Sequence, residues 1–108
     1  MNISVIVPVF REAKTINAFL ETLEGVFPAP GNEIIVVDGH PEGDTCAAVA
    51  LPRIKKIRSG RGRARQMNRG AAMARGEILL FVHADTFLPG AAPELIKHVL
   101  SGDKDLVG

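Results

Sequence analysis

Tryptophan and tyrosine are absent from the 108-residue sequence, and five phenylalanines supply all of its aromatic content. Proteins that bind single-stranded nucleic acids stack the bases on aromatic side chains, so this composition argues against that class. An excess of one charge is also missing, because thirteen basic residues nearly balance twelve acidic ones. The net charge of +1 is too small to draw the chain to a polyanion. We predict no nucleic-acid partner.

Cysteine is nearly absent, with Cys46 as the single copy, so no disulfide can form within the chain. This usage is typical of a reducing compartment. The sequence has no apolar run of the ~20 residues that span a membrane. The amino terminus also lacks the basic, apolar and small-residue order of a signal peptide. We therefore predict a cytoplasmic protein without a membrane span, built as one domain over residues 1–108.

Two common phosphate-binding motifs are missing as well. No Gly-Lys-Ser or Gly-Lys-Thr is present, which excludes a Walker A loop. No Gly-x-Gly-x-x-Gly follows the first apolar run, which argues against a dinucleotide-binding fold.

Short apolar runs alternate along the chain with segments of helical periodicity. We predict strands over residues 3–10, 33–38, 53–58 and 77–82. Helices are predicted over residues 12–24, 45–51, from 59–62 to Gly76, and from Pro93 to a cap at Gly102. This alternation is typical of parallel βαβ units. It predicts an α/β fold with a Rossmann-like open parallel sheet and helices on both of its faces.

Several details of this fold are predicted from local patterns. The strand over 77–82 is expected to be central, because five apolar residues without alternation suit burial on both faces. Asp44 or Thr45 is expected to cap the second helix. The apolar stripes of the last two helices are expected to pack in the core; they consist of Ala64, Met67, Ala71 and Ala74, and of Leu95, Ile96, Val99 and Leu100. His40 and His98 are predicted to lie on the surface.

A further strand is predicted to begin at residues 105–108, where the sequence stops. We therefore expect either a fragment, truncated at its carboxyl terminus, or a protein that another chain completes. A truncated sheet leaves an unpaired strand edge and uncovered apolar helix faces, so a homo-oligomer is predicted.

Acidic side chains occur where three of the predicted strands end: Glu12 after the first, Asp38 on the second and Asp85 after the fourth. Parallel strands share one carboxyl edge, and ligands of open α/β sheets bind at that edge. Asp85 would ligate a hard divalent cation there together with phosphate oxygens. His83 would face the same side of its strand. Taken singly, each acid also suits a helix cap or a solvated loop, and His83 equally suits burial against the backbone.

The densest run of basic residues lies at positions 61–69 and contains Arg61, Arg63, Arg65 and Arg69. Glycines at 60 and 62 free the backbone at the start of the predicted helix, where amide groups attract anions. Arginine adds bidentate recognition of phosphate. The run predicts a phosphate contact, although a solvated basic face would have the same composition.

These landmarks resemble the amino-terminal, nucleotide-sugar-binding half of family 2 glycosyltransferases, which have a GT-A fold. Together they cover nearly the whole chain, and residues 62–68 and 80–86 are similar to a bacterial subgroup of the arsenosugar-biosynthesis type. The matching segments are Ser4-Val-Ile-Val-Pro-Val-Phe-Arg-Glu12, Glu33-Ile-Ile-Val-Val-Asp38-Gly, and Asn68-x-Gly70-x-x-x-Ala74-x-Gly76-Glu-Ile-Leu-Leu-Phe-x-x-Ala84-Asp85.

The resemblance implies a nucleotide-diphosphate sugar as ligand, with a UDP-sugar favoured and with Mg²⁺ or Mn²⁺ as cofactor. Pro8 and Glu12 would border the base and the ribose, and Asp38 would bind the base. The implied neighbours of the base or diphosphate are Arg63, Arg65 and Asn68.

The resemblance also implies a metal site at the fourth strand. Asp85 would be the last acid of an Asp-x-Asp motif and ligate the metal. The sequence departs from that motif at its first position, where His83 replaces Asp. It departs again at Gly39-His40, where the family often has Asp-Gly, and this second change affects the ribose contacts.

In inverting members of the family the catalytic base lies in the carboxyl-terminal half, and nothing in this chain matches it. The resemblance therefore implies part of an inverting glycosyltransferase. Two other functions stay open. One is a catalytically silent half-domain that binds nucleotide or assembles with a partner. The other is a basic-helix module for nucleic acid, which the composition disfavours.

Overall fold

The computed structural model describes residues 2–86 and 88–100, and strands and helices alternate through this part of the chain. The strands are β1 (Ile3–Val9), β2 (Asn32–Asp38), β3 (Lys55–Arg58) and β4 (Ile78–Phe81). The helices are α1 (Ile16–Val26), α2 (Asp44–Ala48), α3 (Arg63–Met73) and α4 (Ala92–Leu100). No helix in these residues has the length and apolarity that crossing a membrane requires.

The four strands form one parallel sheet in the order β3-β2-β1-β4. β1 and β2 pair from Ile3↔Asn32 to Val9↔Asp38, whereas β1 and β4 pair only from Ile3↔Ile78 to Ile6↔Phe81. The register with β2 runs past Pro8, which lies opposite Val37, while the ladder with β4 ends before it. The predicted α/β fold with an open parallel sheet is confirmed.

The β-branched residues of β1 and β2 form two cores, one on each face of the sheet. Alternate residues such as Val5, Val7 and Val36 pack with α1 residues in the larger core. The other face of these strands, represented by Ile6 and Val37, packs against residues of α3 in the smaller core. Helices therefore cover both faces, as the sequence predicts.

The prediction of a central strand at 77–82 is not met within the described residues, where β4 lies at the edge of the sheet. It is four residues long, and Leu79 and Phe81 are 42% and 45% exposed. Within the described residues β4 pairs with β1 alone. Burial depends on the neighbours that the topology provides, and local apolarity does not reveal them.

The predicted core face of α4 is also largely wrong. Ala92 and Pro93 are buried and Ile96 is half-buried, but Leu95 and Leu100 are 50% and 56% exposed. Val99 is also exposed, so α4 touches the core mainly through its first turn. This apolar surface is the feature on which self-association rests, and self-association stays a prediction.

The buried positions of α3 differ from the predicted stripe. Gln66 and Gly70 are buried, Met67, Ala71 and Ala74 are half-buried, and Ala64 is exposed. A Cβ at Gly70 would lie 2.5 Å from Cγ2 of Ile6. The helix backbone therefore packs directly on the sheet, which an alanine stripe would not allow.

Smaller differences concern the ends of helices. α1 begins at Ile16 rather than 12, because residues 12–15 form a turn, and it continues past Gly25. α2 is preceded by Gly43 in the left-handed region, at φ 63°, and neither Asp44 nor Thr45 caps it with a side-chain bond. α3 ends at Met73 before Gly76. His40 is buried rather than on the surface, while the predicted Gly102 cap and strand at 105–108 lie outside the described residues.

Glu33, at the amino-terminal edge of the sheet, joins three elements. Its Oε2 accepts hydrogen bonds from Ser4 Oγ and from the Arg75 N–H, both at 2.5 Å, and its Oε1 accepts one from Lys55 Nζ at 2.5 Å. Burial raises the pKa of Glu33, but the bonds from Lys55, Ser4 and Arg75 outweigh it and lower the pKa to about 2.

Glu33 is therefore expected to make folding stability depend on acid. Its pKa is lower in the folded chain than the ordinary 4.5, so its contribution is complete above that value and is lost as the pH falls toward 2. The loss amounts to about 3 kcal/mol of unfolding free energy. Urea unfolding of the wild type and of Glu33→Gln across this range should show a flatter curve for the variant. Parallel curves would contradict the assignment.

Candidate functional site

The carboxyl ends of β1, β2 and β4 lie at one edge of the sheet, and the three predicted acids lie at or just after these ends. The charges of His83, Asp85 and Asp38 all act on the carboxyl of Glu12. Burial is the largest effect and raises the pKa of Glu12; Asp85 and Asp38 act in the same direction, and His83 opposes them. Oε2 of Glu12 is buried and has no hydrogen-bond partner among the described residues. The edge therefore holds a carboxylate that is ready to accept a donor.

A strained turn brings Glu12 to this position. Arg11 has a φ of 55°, in the left-handed region that non-glycine residues rarely occupy. The Glu12 N–H donates to Thr45 Oγ1 at 2.9 Å, so the loop after β1 is fixed to the start of α2. Backbone strain of this kind is common at binding sites.

Asp38 is fully buried at the end of β2. Its Oδ1 accepts the N–H of His40 at 2.9 Å, and its Oδ2 accepts the N–H of Cys46 at 3.0 Å. The carboxylate thus fixes the loop between β2 and α2. Burial, and then the charge of Asp38, raise the pKa of the Cys46 thiol, so Cys46 is not an activated nucleophile.

Phe10 and His40, which sequence reasoning did not assign to the site, form a stack with Arg61 of the predicted basic run beside Asp38. The Phe10 and His40 rings lie 5.0 Å apart between centroids, tilted by 59°. The Arg61 guanidinium lies 4.7 Å from the centroid of the Phe10 ring, a cation–π contact. Only the position of Phe10 after a buried strand signalled its presence at the edge.

Gln66 is a further residue that sequence reasoning missed. Its side chain is 5% exposed, and Nε2 donates to Val9 O at 2.8 Å and to Val37 O at 2.9 Å. These carbonyls belong to the ends of β1 and β2, so Gln66 fastens α3 to both strands at the site. The signal in the sequence was a single amide within an arginine-rich helix.

His83 and Asp85 lie together as predicted, and Arg63 joins them. Nδ1 of His83 is 3.0 Å from Oδ1 of Asp85, without the geometry of a hydrogen bond. Nε2 of the same ring contacts the Arg63 guanidinium. Both nitrogens of His83 therefore face charged partners. Asp85 is the more accessible ligand, because its side chain is 86% exposed.

The structure shows less about the other predicted site residues. Arg65 and Asn68 are exposed on α3, and Pro8 is half-buried within β1. Within residues 2–86 and 88–100, no group of three or more His, Cys, Asp or Glu side chains is arranged to hold a metal ion. A cation at Asp85 would therefore need oxygen ligands from a bound molecule and from water.

Positive charge dominates the chain beside this edge. No Asp or Glu occurs between Asp44 and Glu77, whereas nine of the thirteen Lys and Arg residues lie in that interval. Three of the nine, Arg61, Arg63 and Arg65, are carried at the start of α3 or just before it. The edge thus combines a few carboxylates with a strongly cationic helix, an arrangement that suits an anion together with a cation.

The architecture is that of the nucleotide-binding half of a GT-A glycosyltransferase, and solved structures of this class superpose on it. The chain belongs to glycosyl transferase family 2, whose sequence pattern matches residues 4–108. The resemblance seen in the sequence is confirmed at this level.

Known relatives align with nearly all of this chain, but only part of each relative's own sequence takes part in the alignment. Glucosyl-3-phosphoglycerate synthase of Mycolicibacterium paratuberculosis is 32% identical over 115 residues, which cover 94% of this chain and 34% of that protein. The mannosyltransferase PcManGT of Pyrobaculum calidifontis, solved with GDP-Man and Mn²⁺, is 27% identical with a TM-score of 0.75, over 89% of this chain and 31% of its own.

A third comparison concerns the fold alone. Glucosyl-3-phosphoglycerate synthase of Mycobacterium tuberculosis, solved with Mn²⁺, UDP and glucosyl-3-phosphoglycerate, is 22% identical with a TM-score of 0.74, over 94% of this chain and 40% of its own. The chain therefore spans about a third of the length of these relatives.

Proposed function

We propose that the chain forms the nucleotide-sugar-binding part of an inverting glycosyltransferase. The observation that carries this proposal is the placement of Glu12, Asp38 and Asp85 at the carboxyl ends of three parallel strands, beside an arginine-bearing helix whose Arg63 reaches His83. The acids suit a base, a ribose or a metal, and the arginines suit a diphosphate. The finer assignment to the arsenosugar-biosynthesis subgroup stays a prediction.

The diphosphate is assigned to the cationic start of α3, with Arg63 and Arg65 as its ligands and Asn68 at its border. Two structures of the family's class contain a nucleotide, GDP-Man in one and UDP in the other. We favour a UDP-sugar for this chain. Pro8 and Glu12 would line the base and the ribose.

Asp38 is proposed to bind the base, and its burial adds a condition. Both of its oxygens already accept bonds from the loop between β2 and α2. A base N–H would reach the carboxylate only when that loop moves. The stacked Phe10 and His40 rings border this loop and would shift with it.

Mg²⁺ or Mn²⁺ is proposed as the cofactor, and the residues fit such an ion. Asp85 offers an exposed carboxylate, and His83 lies beside it with Nδ1 3.0 Å from Oδ1. A nitrogen ligand is poorly suited to Mg²⁺, so His83 favours Mn²⁺. When bound, the ion would neutralise charge on the leaving diphosphate. The described chain provides too few ligands to hold the ion without a nucleotide.

The test is calorimetric titration of the 108-residue chain with UDP and with GDP, each with and without Mn²⁺. We expect UDP to bind more tightly with Mn²⁺, by about tenfold, since the ion links Asp85 to the diphosphate. Absence of binding for both nucleotides would overturn the proposal. If UDP binds, an assay for turnover of a UDP-sugar distinguishes an enzyme from the silent half-domain. The silent half-domain would bind UDP and leave the sugar intact.

A further inference from the structure

We propose that Gln66 is a positioning residue that sets α3 on the sheet so that Arg63 and Arg65 meet the diphosphate. The inference rests on the function proposed above. Both hydrogen-bond partners of the amide are backbone carbonyls, so its NH₂ group must face the strands. One side chain thus ties a single point of α3 to the two strands that carry Glu12 and Asp38.

The position of Arg63 connects the hydrogen bonds of Gln66 with the proposed metal ligands His83 and Asp85. Arg63 precedes Gln66 by three residues and therefore lies on a neighbouring part of the helix surface, one turn earlier. Its guanidinium contacts His83, which lies beside Asp85. Rotation or sliding of α3 would break this contact. A displacement of about 1 Å is enough to weaken recognition strongly at a site that depends on orientation.

Gly39 makes the tie possible. A Cβ at this position would lie 2.6 Å from Cδ of Gln66 and 2.7 Å from its Oε1. Gln66 has little freedom to retreat, because its Nε2 is held by Val9 and Val37. The amide of Gln66 takes up the space that a side chain at position 39 would enter. Gly39 and Gln66 therefore form a matched pair.

The role predicts a specific defect. Uridine would contact the loops after β1 and β2, whereas the diphosphate of UDP would contact α3. Gln66→Leu fills a similar volume but cannot donate to the two carbonyls. We expect the ratio of UDP affinity to uridine affinity, both measured with Mn²⁺, to be about tenfold lower in Gln66→Leu than in the wild type. A merely structural role would lower both affinities together or neither.

Asn17→Ala is the matched control. Asn17 also makes two amide hydrogen bonds to backbone, to Ala48 O at 2.9 Å and from Ala50 N at 2.8 Å, but it joins α1 to the end of α2. Its loss should leave the ratio of UDP to uridine affinity unchanged. A second variant, Gly39→Ala, should lower the UDP affinity when Gln66 is present. When Gln66 is already replaced by alanine, Gly39→Ala should cause no further change in the ratio of UDP to uridine affinity.

Amide hydrogen exchange of residues 63–73 follows the position of α3 without any ligand. Exchange should accelerate in Gln66→Leu and not in Asn17→Ala. If exchange accelerates in Gln66→Leu but the wild type does not bind UDP, the proposed function is overturned. The assignment of α3 to the diphosphate then falls with it. If the wild type binds UDP but Gln66→Leu leaves the ratio of UDP to uridine affinity unchanged, the positioning role alone is overturned. Additive effects of Gly39→Ala and Gln66→Ala on that ratio would also overturn it.

Discussion

Alanine in place of Gly76 is expected to lower the free energy of unfolding by about 4 kcal/mol. A Cβ there would lie 2.6 Å from Ser4 Oγ, 2.8 Å from Ser4 N and 2.9 Å from Asn2 O. Two of these three atoms belong to the backbone, so no rotamer change relieves the contact. The Gly76 N–H also donates to Ser4 Oγ at 2.7 Å, and this bond would be disturbed. Urea unfolding followed by circular dichroism measures the effect.

Two other glycines provide matched controls for the same substitution. Gly25 lies in α1 with nothing within 4 Å of the position that a Cβ would take, and alanine there should raise stability by about 0.5–1 kcal/mol through helix propensity. Gly70 lies in α3, where the same gain is opposed by the contact with Ile6 at 2.5 Å, and a net loss of about 1–3 kcal/mol is expected. Equal effects at all three positions would show that close approach does not decide them.

The shared edge of Glu12, Asp38 and Asp85 could be predicted from the sequence, because it follows from the order of elements. Alternating strands and helices predict a parallel sheet, and a parallel sheet puts every carboxyl end on one side. The position of β4 at the edge of the described sheet could not be predicted in this way. A strand is central or peripheral according to its neighbours, and an apolar run such as residues 78–82 suits both positions.

Gln66 shows why the rest of the site needed coordinates. Its two acceptors lie 57 and 29 residues away in sequence, and the pattern of α3 suggested that alanines would face the sheet. A buried glutamine is favourable only when hydrogen-bond acceptors stand opposite its amide, and the positions of these two carbonyls depend on where two strands end. His40 was misplaced for the same reason, since its burial follows from contacts with Phe10 and with the loop that Asp38 fixes.

Replacing Asp85 by asparagine is expected to weaken the binding of UDP with Mn²⁺ but not without a divalent cation. Without a divalent cation, the variant should bind UDP equally well or more tightly, because a carboxylate beside the diphosphate is repulsive. With Mn²⁺, it should bind about tenfold or more weakly than the wild type, because a neutral amide is a poor ligand for the ion. Two calorimetric titrations of each protein, with Mn²⁺ and with a chelator, measure both effects.

The exposure of Asp85 makes this comparison clean. Its side chain is 86% exposed, so the substitution should alter stability by no more than about 0.5 kcal/mol, and folding does not confuse the result. Glu21→Gln removes the same charge from an exposed position on α1 and should leave both titrations unchanged. If the strengthening by Mn²⁺ persists in Asp85→Asn, the ion is held elsewhere. In that case the metal role of Asp85 would have to be withdrawn, while the proposed nucleotide binding at this edge would stand.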